Sequence, residues 1–150
     1  MKFENAIKQS KFESSQQKAM LNIMYTANWL RDEQAELFKS YDLLPQHYNV
    51  LRIIKGKHPL PVSPSDIKEV MIDKGNDVTR LVDKLVKLKL VDRNLCPENR
   101  RKIDINLTKQ GLKLIDEISK QLLPKLKHIK NRLSEKDADI LSDLLDKLRD

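Results

Sequence analysis

Arg100, Arg101 and Lys102 stand in a row, and a polar group made of Asn76, Asp77, Thr79 and Arg80, with Lys84 farther on, precedes them. None of these residues is arranged to make or break a covalent bond. Their chemistry is charge and hydrogen bonding. Arginine can meet guanine through two parallel hydrogen bonds, asparagine can meet adenine in the same way, and threonine can touch a thymine methyl. Lysine suits a phosphate. Ser63 and Ser65 add hydroxyls, and the free N–H groups of the helix they open suit a phosphate as well. An arginine in a basic hairpin is drawn to the concentrated negative potential of a narrow, A·T-rich minor groove. These residue types point to double-stranded DNA as the partner.

Residues for other chemistry are missing. The sequence has no glycine-rich phosphate loop, no serine in a strained elbow and no HExxH, and the carboxylates on its helices fall on exposed faces. Catalysis is therefore not expected. His47, His58 and His128 are scattered, and Cys96 has no second cysteine, so neither a metal nor a cofactor is implied. Cys96 lies among the cations of the hairpin loop. An incidental thiol is the preferred reading over a redox role.

The elements that must position these groups follow from periodicity and stop signals. Residues 5–39 contain no proline or glycine, and Ala19, Met20, Ile23, Met24, Ala27, Leu30 and Leu37 recur at helical spacing, which predicts one long helix. Pro45 opens a second helix, and Gly56 is expected to close it. Residues 57–62, with two prolines, are extended. Ser63-Pro64 starts a short helix through about Ile72. After the turn at Asp73-Lys74-Gly75, Asn76 or Asp77 caps a helix to about Leu88, with Val78, Leu81, Val82, Leu85 and Leu88 as its buried stripe. A hairpin follows. The alternation Ile103-Asp104-Ile105-Asn106-Leu107 marks its second strand as half-buried. Thr108 caps the next helix, in which Pro124 should produce a kink. Ser134 and Asp137 open the last helix.

Helix, turn, helix and basic hairpin, in that order, make a winged helix-turn-helix. The expected class is mainly α with a small β-hairpin wing. The second helix of the pair should enter a major groove, with Asn76, Asp77, Thr79 and Arg80 at its leading end and Lys84 nearer the phosphates. The net charge of +7 agrees once it is located. Residues 1–42 hold six cations and six carboxylates, residues 43–107 thirteen and eight, and residues 108–150 ten and eight. The excess sits around the hairpin, as it does in nucleic-acid binders. The competing reading is ordinary solubilising charge. One cysteine, an N-terminus without an apolar core and no run near ~20 apolar residues suit a cytoplasmic protein without a membrane span.

The segments VTRLVDKLVKLKLVDR, residues 78–93, and NRRKIDINLTKQG, residues 99–111, resemble the MarR family of bacterial transcription regulators. The resemblance extends over nearly the whole length. The family's Ser/Thr-Arg pair is matched by Thr79-Arg80, and its Gly-Leu-Val-x-Arg stretch by Lys89-Leu90-Val91-Asp92-Arg93. Its wing, Asp-x-Arg followed by a strand, Leu-Thr and Gly, is matched by Asn99-Arg100-Arg101, Leu107-Thr108 and Gly111. Arg101 then corresponds to the wing residue that enters the minor groove, and Arg93 to one that braces the wing. Asn99 replaces the usual wing aspartate, so no carboxylate is available to Arg93 at that spot. An amide–guanidinium bond is the available substitute. Lys89 replaces the usual glycine.

The resemblance implies a homodimer of one MarR-like domain spanning 1–150. Residues 43–107 are its DNA-binding lobe, and 1–40 and 108–150 are its dimerisation helices. The long amphipathic end segments agree, since the compact middle alone cannot bury their stripes. Intramolecular packing is the alternative. The implied function is that of a repressor on a pseudo-palindromic operator, released by a small aromatic or lipophilic ligand bound between the lobe and the dimerisation helices. Trp29, Tyr41, His47 and Tyr48 would line that site, although core packing is the preferred reading of these side chains. The competing functions are a protein-interaction module and a ligand-independent regulator or activator.

Overall fold

The structure, a computed structural model, describes residues 1–96, 99 and 102–150. Its elements in chain order are α1 (Phe3–Ala6), α2 (Ser15–Lys39), α3 (Pro45–Lys57), α4 (Pro64–Val70), α5 (Val78–Lys87), β1 (Val91–Leu95), β2 (Ile103–Leu107), α6 (Lys109–Lys130) and α7 (Glu135–Arg149). The fold is mainly helical with one antiparallel hairpin, as the sequence predicts. No helix among the described residues is long and apolar enough to cross a membrane.

The single helix expected over 5–39 is instead two. Lys8 adopts a left-handed backbone, and the chain resumes as helix only at Ser15. The restart has a local cause. The Ser14 side chain accepts from the Gln17 N–H at 3.1 Å, and Gln17 Oε1 accepts from the Glu13 N–H at 2.9 Å. The first bond satisfies an N–H group that a helix start leaves unpaired, and the second ties the residue before the cap to the same turn. The N-terminal segment folds back, and Phe3 packs on Phe12 and Tyr25 with ring centroids 6.0 and 5.8 Å apart.

Other helix ends follow side-chain chemistry. Ser63, Asp77, Thr108 and Ser134 all cap through their side chains. Gly56 does not end α3, which runs to Lys57. The stop comes from Pro59, because the residue before a proline avoids the helical region, and His58 is accordingly extended with ψ 135°. Helix α4 ends at Val70 rather than near Ile72. Helix α6 continues through Pro124.

Two helices end in the same six-to-one, five-to-two hydrogen-bond pattern. At α5, the Leu90 N–H donates to the Leu85 carbonyl (3.0 Å) and the Lys89 N–H to that of Val86 (2.9 Å). At α2, the Leu43 N–H donates to Phe38 and the Asp42 N–H to Lys39, both at 3.0 Å. The pattern needs a left-handed residue, usually glycine. Here Lys89 (φ 58°) and Asp42 (φ 56°) adopt it. The exit from α5 is thus the turn that glycine would make, formed by lysine at a cost of about 1–2 kcal/mol. Burial of Leu85 and Leu90 helps offset that cost.

Helix α3 is central. It packs against α2, α4, α5, α6 and β2, and Val50, Leu51 and Ile54 are fully buried. The hairpin pairs Val91 with Leu107 and Arg93 with Ile105. Val62, in the extended proline-rich segment, exchanges two backbone hydrogen bonds with Ile105 (3.0 and 2.8 Å) and ties the base of the wing to the start of α4. Gly111 lets α6 approach this base closely, since a β-carbon there would lie 2.1 Å from the Leu90 carbonyl oxygen. Gly111→Ala is expected to destabilise the fold by about 1–3 kcal/mol, the usual range for overpacking, measured as a lowered urea midpoint.

Candidate nucleic-acid interface

Helix α4, the turn at residues 71–77 and helix α5 form the helix-turn-helix. Val78, Leu81, Val82 and Leu85 are buried, which turns Thr79 and Arg80 outward at the leading end of α5. The Asp77 carboxylate accepts from the Arg80 N–H at 3.3 Å and lies 3.4 Å from Arg80 Nε. It therefore caps the helix and steadies the guanidinium, whose side chain is 88% exposed. Asn76 is half-buried, and its amide donates to the Asp73 carbonyl at 3.3 Å. A shallow groove of about 400 Å³ runs between the two helices, lined by Ser65, Lys68, Asn76, Asp77 and Thr79 among others.

At the start of α4, Ser63 and Asp66 cap one another. Ser63 Oγ accepts from the Asp66 N–H (3.2 Å), and Asp66 Oδ2 accepts from the Ser63 N–H (2.8 Å). The bonds from Ser63 hold the Asp66 carboxyl below the usual carboxylate range. Ser63 Oγ is also 2.8 Å from Ser65 Oγ. Ser63 is thus occupied with helix capping, whereas Ser65 is exposed beside it.

Backbone hydrogen bonds join Cys96, Asn99 and Lys102 beyond the paired strands. The Asn99 N–H donates to Cys96, the Lys102 N–H to Asn99 and the Cys96 N–H to Lys102, at 3.2, 2.8 and 2.9 Å. Lys102 is exposed and Cys96 half-buried. Both line a cleft of about 580 Å³ between the wing and α4, which Ser63, Ser65 and Asp104 also line. Arg100 and Arg101 lie outside the described residues. Arg93 has a carboxylate partner, but not on the wing: its Nη1 donates to Asp83 Oδ1 of α5 at 2.5 Å. Asp83 lies outside the buried stripe of α5, and nothing in its sequence position marks it as the partner of Arg93. The pair joins the middle of α5 to the middle of β1.

The other expected residues are dispersed. Lys84, expected near the phosphates, has its ammonium on the Asp42 carboxylate at the end of α2. His47 is 7% exposed, and its Nδ1 accepts from the Leu44 N–H at 2.9 Å. Tyr41 donates to Glu117 (2.9 Å) and accepts from Gln121 (2.6 Å). Tyr48 bonds to Ser119 at 2.9 Å, and its ring lies 5.2 Å from that of Phe38. Three of the four ligand-site candidates are therefore held in internal contacts. Trp29 is apart from them, in a groove of about 260 Å³ with Leu30, Pro124, Lys125 and His128. Among the described residues, no cluster of three or more His, Cys, Asp or Glu could hold a metal.

Similar proteins share this architecture. A MarR transcription factor from Planctomyces limnophilus is 31% identical, with 93% of this chain and 98% of that one covered and a TM-score of 0.66. A MarR mutant from E. coli complexed with operator DNA is 21% identical, with 99% of both chains covered and a TM-score of 0.73. The HTH-type transcriptional regulator PapX of Escherichia coli is 25% identical over 119 residues, which is 79% of this chain and 73% of its own. No family model matches the chain.

The half-exposed Arg93–Asp83 pair should position the wing rather than stabilise the fold. Asp83→Ala is expected to change the unfolding free energy by less than about 1 kcal/mol. It should also accelerate amide hydrogen exchange along β1 and β2. Unchanged exchange would mean that the pair does not hold the wing.

Proposed function

The chain belongs to the MarR family of transcription factors, and on that premise we propose that it is a sequence-specific DNA-binding repressor acting as a homodimer. The observation that carries this reading is Arg80. It projects from the first turn of α5, is almost fully exposed, and is steadied by Asp77 on a helix whose opposite face is buried. A guanidinium held this way can make the paired hydrogen bonds that single out guanine. Thr79 and Asn76 flank it for adjacent bases. Ser65 and Lys102 supply phosphate contacts on either side of the cleft between α4 and the wing. Ser63 contributes mainly by capping α4. Arg100 and Arg101 are assigned to the adjacent minor groove on their sequence alone.

The dimer reading rests on apolar faces with nothing over them. On α2, Met20, Met24 and Trp29 are exposed; on α6, Leu123 and Leu126; on α7, Ile140, Leu141, Leu144 and Leu148. No residue of α7 is buried. Fully burying one such side chain is worth about 1.5–3 kcal/mol, so a second copy covering several of them gains enough to associate stably. This assigns 1–40 and 108–150 to dimerisation and 43–107 to DNA. Two lobes related by a two-fold axis then read a pseudo-palindrome with half-sites roughly 34 Å apart. A cytoplasmic location follows from the same role. Release by a small aromatic ligand rests on the groove beside Trp29, because Tyr41, His47 and Tyr48 are held in internal contacts.

Selection of bound sequences from random duplexes by the purified protein should return a pseudo-palindrome. On that duplex, Arg80→Ala should cost about 1–3 kcal/mol and relax the preference at one base pair per half-site. Equal affinity for selected and scrambled duplexes at physiological salt would rule out sequence-specific recognition. Sedimentation at micromolar concentration should give a dimer, and Leu144→Asp combined with Leu148→Asp should shift it towards monomer. A wild-type monomer would remove the two-fold model.

A further inference from the structure

We propose that Lys84, Asp42 and His47 form a pH-sensitive tether that positions α5 against the turn between α2 and α3. The proposal rests on the reading of α5 as the helix that enters DNA, and it gives Lys84 a positioning role instead of a phosphate contact. Three observations carry it. The Lys84 ammonium sits on Asp42, so the middle of α5 is tied to the α2–α3 turn. Asp42 is fixed there by the left-handed backbone that ends α2 and by its N–H bond to Lys39. His47 lies under the same pair, nearly buried, and a depression of about 330 Å³ is lined by Lys39, Asp42, Leu43, Leu44, His47 and Lys84.

The hydrogen bond to His47 sets its protonation state. Nδ1 accepts from the Leu44 N–H, so it carries no proton, and the neutral ring holds its hydrogen on Nε2. Burial, and then the Lys84 ammonium, push its pKa below the ordinary 6.5, while Asp42 acts in the opposite direction. Lys39, from the end of α2, adds a third charge to the rim. Protonation would leave the Leu44 N–H without its acceptor. It would also put a cation beside Lys84 in competition for the one carboxylate.

The sign follows from the depressed pKa. The folded chain binds the His47 proton less readily than the unfolded chain does. The favourable contribution is therefore present above the unfolded value of about 6.5 and is lost as pH falls below it. Acidification should loosen α5 from the α2–α3 turn. His58 and His128 are exposed and have no such acceptor role among the hydrogen bonds described.

The test uses the whole protein and two variants. His47→Gln keeps an oxygen that can accept from the Leu44 N–H but does not titrate. Lys84→Met keeps the stem and removes the charge. Affinity for the selected duplex is measured as a series from pH 7.5 downward at constant ionic strength, carried through the titration of the His47 ring. The wild type should weaken by about fivefold or more on acidification, the low end of typical site-to-site coupling, and His47→Gln should not. Identical pH profiles in the two proteins overturn the pH sensitivity. Lys84→Met should weaken binding while leaving the slope of log K against log salt unchanged. A slope reduced by about 0.9 would make Lys84 a phosphate contact and overturn the tether. An arm without DNA separates this proposal from the repressor reading. Amide signals of residues 78–88 should follow the titration of the His47 ring in the wild type and be insensitive to it in His47→Gln. If no variant binds DNA specifically, the repressor reading fails, while these signals still decide the tether.

Discussion

The buried face of α3 is the constraint on which the other elements depend. Val50, Leu51 and Ile54 have no exposed surface, and α2, α4, α5, α6 and β2 all pack around that helix. Close-packed interiors transmit displacement because they hold few voids. The angle of α5, the base of the wing and the start of α6 are therefore set relative to one another through α3. Val62 and Ile105 close the arrangement by hydrogen-bonding the wing base to the segment that leads into α4. The lobe thus holds the leading end of α5 and the base of the wing in a fixed relation, as the proposed reading of two adjacent grooves requires.

Polar groups within that frame serve more than one purpose. Asp77 caps α5 and holds Arg80; Ser63 caps α4 and touches Ser65. Thr108 accepts from Gly111, caps α6, and donates to the carbonyls of Lys89 and Leu90, so one hydroxyl links the helix to the wing base. Such local side-chain bonds are why Ser, Thr and Asp favour helix starts. Asp83 illustrates substitution of function. Asn99 stands where a carboxylate was expected on the wing, and α5 supplies one to Arg93 instead. Bracing from α5 couples the wing to the helix that we propose enters the major groove.

The helices outside the lobe present a different balance. Helix α7 has no buried residue, yet its Ile140, Leu141, Leu144 and Leu148 repeat at helical spacing. Contiguous exposed apolar stripes of this kind mark interaction surfaces. The basic lobe and the helices with exposed apolar stripes thus differ in surface chemistry, which is the basis of the dimer proposed above.

Much of this was legible in the sequence because it depends on residues close together in the chain. Capping at Ser63, Asp77, Thr108 and Ser134, the buried stripe of α5 and the alternation of β2 are local patterns, and each appears as expected. The break before Ser15 was also local: Ser14 and Gln17 carry the capping signal, although no proline or glycine marks it. Long-range pairings were not legible. Lys84 and Asp42 are 42 residues apart, Tyr41 and Glu117 are 76, and Tyr48 and Ser119 are 71. Asp83 and Arg93 meet only because a left-handed Lys89 folds β1 back along α5. By itself, then, the sequence determined which side chains of α5 and β2 turn inward and which turn outward, because helical and strand periodicity assign faces. The tertiary structure decided which charges remain free and which are spent holding elements together, because an ion pair depends on distances that only the folded chain sets.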